Sequence, residues 1–198
     1  MSTSRDSNIN VTSDDSALIA LSDTEESGEI IRQNGQGELV IDFTANGSAD
    51  GVNPNSRYQI GEVEANEAAT DPVYNDLFSQ TPYDKPAFNV KNQSSEEREV
   101  KLEYTTDSVD EDTNTKLMFL VQDEDMDNDD GEYGGGSNGQ TNVIKVGKDR
   151  YDSIIQTDST TVTLSAGERA GVSIYLETGD KADNLSGTLT VSINEETP

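Results

Sequence analysis

Short runs in which every second residue is apolar recur along this chain, separated by stretches of Gly, Asn, Asp, Ser and Thr. A period of two places alternate side chains on opposite faces of an extended backbone, so each run reads as a strand with one buried face. Ile9 and Val11 alternate with Asn8, Asn10 and Thr12, and the run Ala17, Leu18, Ile19, Ala20, Leu21 follows. Leu39, Ile41 and Phe43 share a face, as do Phe88 and Val90, and then Val100, Leu102 and Tyr104. Leu117, Phe119 and Val121 point one way while Met118 and Leu120 point the other, which marks a central strand buried on both sides. A short strand is expected over 143–146. Three further strands centre on Val162 and Leu164, on Val172, Ile174 and Leu176, and on Leu189, Val191 and Ile193, each with one dry and one wet face.

The segment 62–86 breaks the pattern. Val73, Tyr74, Leu77 and Phe78 lie at helical spacing behind Asp71 and Pro72, a suitable N-cap and first helical residue, so a short helix is expected there. About ten strands and at most one short helix predict an all-β fold, an antiparallel β-sandwich of jelly-roll type; a closed barrel shares the same pattern. Residues 1–21 form an N-terminal strand segment and 22–198 a single sandwich domain. No internal repeat is visible.

Composition sets the physical setting. Forty acidic and thirteen basic residues give a formal charge of -27. Such a surface repels itself in dilute buffer, but at molar salt the Debye length falls to about 3 Å and the repulsion is screened, so the balance suits hypersaline surroundings. The same balance argues against nucleic acid as a partner, because phosphate binding draws on Lys and Arg. Intrinsic disorder has a similar composition, but here the apolar residues are gathered into strand-type runs. No uninterrupted apolar run is longer than 17–21, which is too short for a membrane span or the core of an export signal.

The chain has neither His nor Cys, which removes the commonest acid-base residue, thiol nucleophiles, disulfides and the usual zinc ligands. A non-enzymatic protein is therefore expected. A carboxylate-based glycoside hydrolase stays open in principle, but the chain lacks Trp for sugar stacking. Gly134, Gly135 and Gly136 lead into no helical run, so they make no phosphate loop. Asp123, Asp125, Asp127 and Asp129 alternate and are followed by Glu132, a cluster of hard oxygen ligands that suits calcium. Its spacing is not that of an EF-hand: counted from Asp125, the sixth position is Asp130 and the twelfth Gly136. A solvated acidic loop accounts for it as well. Sequons begin at Asn10, Asn46, Asn92 and Asn184, in a chain rich enough in Asn, Ser and Thr to produce them by chance.

The N-terminal segment carries the sharper expectation. Strands at a chain end pair within their own sheet or are donated to an open edge on a neighbour, where main-chain hydrogen bonds and alternate side-chain pockets hold them. Repeated head to tail, donation builds a filament. Asn8-Ile9-Asn10-Val11-Thr12 with 14–21, Phe88-Asn89-Val90-Lys91-Asn92, and the closing Gly187-Thr188-Leu189-Thr190-Val191-Ser192-Ile193 resemble a haloarchaeal family of secreted β-proteins. That family is similar to the TasA and camelysin group of biofilm fibre proteins and to archaeal bundling pili. The resemblance implies a jelly roll, export to the cell surface, and a homopolymer built by donating an N-terminal strand, with Ile9, Val11, Leu18, Ile19 and Leu21 as its apolar contacts. Export rests on the resemblance, since no export signal lies within these residues. The peptidase label of camelysin relatives does not transfer to a chain without His. The alternative is a calcium-dependent adhesion or binding domain using the loop 123–132.

Overall fold

The computed structural model describes residues 8–13, 18–23, 30–33, 39–43, 52–61, 86–106, 109, 114–123, 141–148, 154–180 and 186–193. Within them the chain is all-β, with thirteen strands and no helix; the helix expected over 62–86 lies, but for Pro86, outside the described residues. In chain order the strands are β1 (Asn8–Ser13), β2 (Ile19–Asp23), β3 (Ile31–Gln33), β4 (Leu39–Asp42), β5 (Arg57–Ile60), β6 (Phe88–Asn92) and β7 (Arg98–Thr106). They continue with β8 (Lys116–Asp123), β9 (Thr141–Lys148), β10 (Ile154–Ile155), β11 (Thr157–Leu164), β12 (Arg169–Glu177) and β13 (Gly187–Ile193). The ten expected strands are all present. The three additional ones, β3, β5 and β10, have four residues or fewer, and none of them carries three apolar residues in alternation.

Two sheets face each other. The six-stranded sheet has the order β11-β7-β13-β1-β4-β3, and the seven-stranded sheet the order β10-β9-β8-β12-β6-β2 with β5 also on β12. The alternating apolar residues of both meet in one core, where Leu39, Ile41, Leu102, Leu117, Ile144 and Leu164 are fully buried. Tyr104 of β7 and Phe119 of β8 join the layers, their rings tilted with centroids 5.0 Å apart. Ladders are antiparallel except that β1 runs parallel to β13, a pairing the antiparallel expectation did not contain. Period two sets which side chains face in, but it carries no information on the direction of the neighbouring strand.

Along one flank the sheets are stitched together. β10 pairs with β9, the chain bends at Gln156, and β11 then pairs with β7 in the opposite sheet. Thr106 N donates to Gln156 O at 2.9 Å. The Asp158 carboxylate accepts from Lys145 N at 2.8 Å and the Asn142 side chain donates to Thr161 O at 2.9 Å, so the outer edge of β9 is partly capped by β11.

Strands β5 and β6 are two pieces of one line. Both run antiparallel to β12 along the same side, β5 opposite 174–177 and β6 opposite 169–172. The break falls at Ser173, where Gly61 and Ala87 meet. Gly61 has φ 81°, and a Cβ there would sit 2.5 Å from Ser173 Oγ and also press on Ala87 N. Only glycine fits, both for backbone sign and for space. Gly167 has the same φ of 81° with nothing within 4 Å of its Cβ position. Gly61→Ala is therefore expected to cost roughly 3 kcal/mol and Gly167→Ala about 1 kcal/mol, compared by denaturant midpoints at constant slope; equal losses would contradict the close approach at Gly61.

Candidate functional site

The feature with functional potential is the slot that holds β1. In sequence, β1 alternates polar and apolar residues from Asn8 to Thr12 and ends on Ser13, with no Pro and no charge, which lets it pair on both edges. It does so. Ile9, Asn10, Val11, Thr12 and Ser13 lie opposite 187–191 of β13, and Asn8, Ile9, Asn10 and Val11 lie opposite 42, 41, 40 and 39 of β4. Val11, flanked by Leu39 and Leu189, is fully buried.

Position 9 lies opposite Gly187 on one side and Ile41 on the other. A Cβ on Gly187 would meet Tyr104 Oη at 2.7 Å and the Thr105 carbonyl, so the β7 backbone and the Tyr104 hydroxyl come up against the slot wall here. A slip of one residue would turn Asn10 and Thr12 into the core, so the slot specifies register. Because the order is β13-β1-β4-β3, among the described residues β4 and β3 join the rest of their sheet only through β1. Without it a slot two ladders wide opens between β13 and β4.

The five apolar residues expected to act together divide between the sheets. Ile9 and Val11 belong to β1. Ile19 is buried and Leu21 half-buried in β2, which pairs with β6 at the edge of the seven-stranded sheet. Leu18, half-buried in the turn before β2, accepts a hydrogen bond from Gln93 N at 2.7 Å. The alternation in sequence identified both strands, but nothing in it signalled the change of sheet between them.

Of the acidic cluster, Asp123 closes β8, while Asp125, Asp127, Asp129 and Glu132 lie outside the described residues. Among the described residues no group of three or more His, Cys, Asp or Glu is placed to hold a metal ion. No helix among them is long and apolar enough to cross a membrane. The side chain of Asn10 and the whole of Asn46 and Asn184 lie outside the described residues.

Asn92 is described, and its environment is not that of a glycan acceptor. It is fully buried, and its Nδ2 donates to Glu96 O at 2.8 Å, Leu164 O at 2.9 Å and Ser165 O at 3.0 Å. Its Oδ1 accepts from Ser94 N at 2.9 Å and Ser94 Oγ at 2.7 Å. The backbone adds Asn92 N to Glu168 O and Gly167 N to Asn92 O, at 2.9 and 3.0 Å, and the Glu168 carboxylate receives Ser165 N. The Ser that completes the sequon is thus the partner that orients the amide, and the pair clamps the β6–β7 turn to the β11–β12 turn. The folded domain has no room for a sugar on this nitrogen, which corrects the sequon reading at Asn92. Asn92→Ala leaves the buried Leu164 carbonyl without this donor and Ser94 N without this acceptor, so a loss of roughly 3 kcal/mol is expected by equilibrium denaturation. Intact-mass and peptide mapping of native protein should find residue 92 unmodified.

Sequence periodicity also gave β12 a wet face, which the structure corrects: Ser173 and Tyr175 are buried on the face away from the core. Burial pushes the Tyr175 phenol above its usual range, the Glu177 carboxylate adds to the rise, and the Arg57 guanidinium opposes it. A phenol whose pKa is raised on folding contributes stability that is complete below the unfolded value near 10 and is lost as pH rises through the folded value. The alkaline limb of a stability–pH curve should accordingly flatten in Tyr175→Phe; an unchanged limb would place the alkaline loss elsewhere.

No family model matches the chain, and the comparisons with curated proteins and with solved structures likewise found no match.

Proposed function

We propose that this protein is the structural subunit of an extracellular filament, a pilus or biofilm matrix fibre, in which β1 of one subunit occupies the slot between β13 and β4 of the next. The single supporting observation is the place of β1. It is the first described strand, yet it sits in the middle of a sheet and, among the described residues, supplies the only join between β13 and β4 within that sheet. The same strand from another copy restores every hydrogen bond and the same buried contacts. Exchange then costs little beyond association, and its repetition is head to tail.

In this reading Ile9 and Val11 are the donated apolar contacts, while Leu18, Ile19 and Leu21 anchor the donor to its own body through β2 and β6. The family resemblance of the N-terminal, central and C-terminal segments supports export and assembly. The anionic composition supports brine as the medium, where screening lets subunits of charge -27 approach. The role is mechanical, and no catalytic step is assigned.

A chain without cysteine permits a clean test. Asn10 and Thr188 are register partners in the parallel ladder, and Thr188 is exposed, so Asn10→Cys with Thr188→Cys tests whether two thiols at this register can be bridged. Oxidation of protein held in molar salt should give a ladder of covalent multimers on denaturing gels, and negative-stain images should show fibres. Oxidation yielding only internally bridged single chains, with compact single particles in the images, would overturn strand donation.

A further inference from the structure

The outward face of the seven-stranded sheet is unlike the rest of this acidic chain. Pairing registers place Arg57, Lys91, Lys116, Lys145 and Arg169 on it, five of the thirteen basic residues, and Glu177 is the one carboxylate that the described strands add. Glu177 already pairs with Arg57 at 3.1 Å. At the centre of this basic rim lie Met118, Leu120 and Tyr175, exposed by only 4, 2 and 2%. These side chains point away from the core between the sheets, and among the described residues no strand lies over them. A buried apolar centre with a cationic border is the imprint of an acidic, partly apolar polypeptide.

We infer that the occupant is the chain's own segment 62–85, docked across this face. The β5–β6 line supplies the placement: the segment leaves after Gly61 and returns at Pro86, and both points flank Ser173 in the middle of the face. Charge supplies the complement. The segment carries Glu62, Glu64, Glu67, Asp71, Asp76 and Asp84 against Lys85 alone. Apolar content selects it over its rival. Val73, Tyr74, Leu77 and Phe78 offer large side chains to the centre, whereas the equally acidic stretch 124–140 offers only Met126 and Tyr133 and leaves from the sheet's end at Asp123. Its length is ample, since even a few extended residues span neighbouring strands. The ionic contacts at the exposed rim are screened in brine, while apolar burial is not, so the centre carries the attachment at high salt. This docking is independent of strand donation.

Zero-length carbodiimide cross-linking of the native chain reads the contact directly, because the reagent joins amines to carboxylates already in contact. Mass spectrometry should find links from Lys91, Lys116 or Lys145 to carboxylates within 62–84. Links from these lysines to 124–132 instead, or none to 62–84, would overturn the assignment. A second readout comes from Leu77→Asp combined with Phe78→Asp, which should raise hydrophobic-dye fluorescence several-fold while the β circular dichroism is kept. Unchanged dye binding with an intact β signal would also overturn it. The cross-link map is read on the unaltered protein and decides the matter whether or not the variant folds.

Discussion

The hydrogen-bonded insertion of β1 between β13 and β4 is the constraint on which the six-stranded sheet depends. Among the described residues, β4 and β3 are hydrogen-bonded to the remaining strands of that sheet only across β1. A main-chain hydrogen bond contributes little net free energy when formed and costs much more when its partners are buried and left unpaired. The slot therefore has to be filled, and its alternating pockets and fixed register make it selective for a segment of one pattern. Whether the filling strand comes from the same copy or another is a matter of connectivity rather than of contact chemistry.

Much of the fold was legible because one half-buried face imposes a period of two. Leu39, Ile41 and Phe43, and the opposed sets on β8, were placed from spacing alone, and Met118 and Leu120 are buried as their strand's double-sided pattern required. Spacing fails where the determinant is not a side chain. The parallel pairing of β1 with β13, the change of sheet between β1 and β2, and the alignment of β5 with β6 are set by how distant segments meet. Short strands are illegible for a simpler reason, since the two residues of β10 cannot display a period. Asn92 shows the opposite failure: a local triplet suggested an exposed acceptor, and only the tertiary context reveals an amide enclosed by five hydrogen bonds.

Charge is similarly uneven in what it discloses. The overall excess of carboxylates gives a sound expectation about solvent, yet it conceals that the scarce cations are concentrated. Lys116, Met118, Leu120 and Gln122 share a face by simple alternation, so the apolar centre was readable on one strand. The basic border emerges only when β5, β6, β9 and β12 are laid beside it. Exposed ion pairs such as Lys101 with Glu103, at 2.6 Å, are worth little individually in salt. The fold's cohesion rests instead on the apolar layer shared by the sheets.

The bend at Gln156 has a mechanical consequence. One continuous stretch of backbone belongs to both layers on that flank, so the layers cannot slide or part there without breaking covalent continuity or the pairing on either side of it. On the opposite flank, β2 and β3 are separate short edges in different layers. The sandwich is thus built like a book with a spine, its layers fixed by one unbroken hydrogen-bonded line along the flank farther from β1.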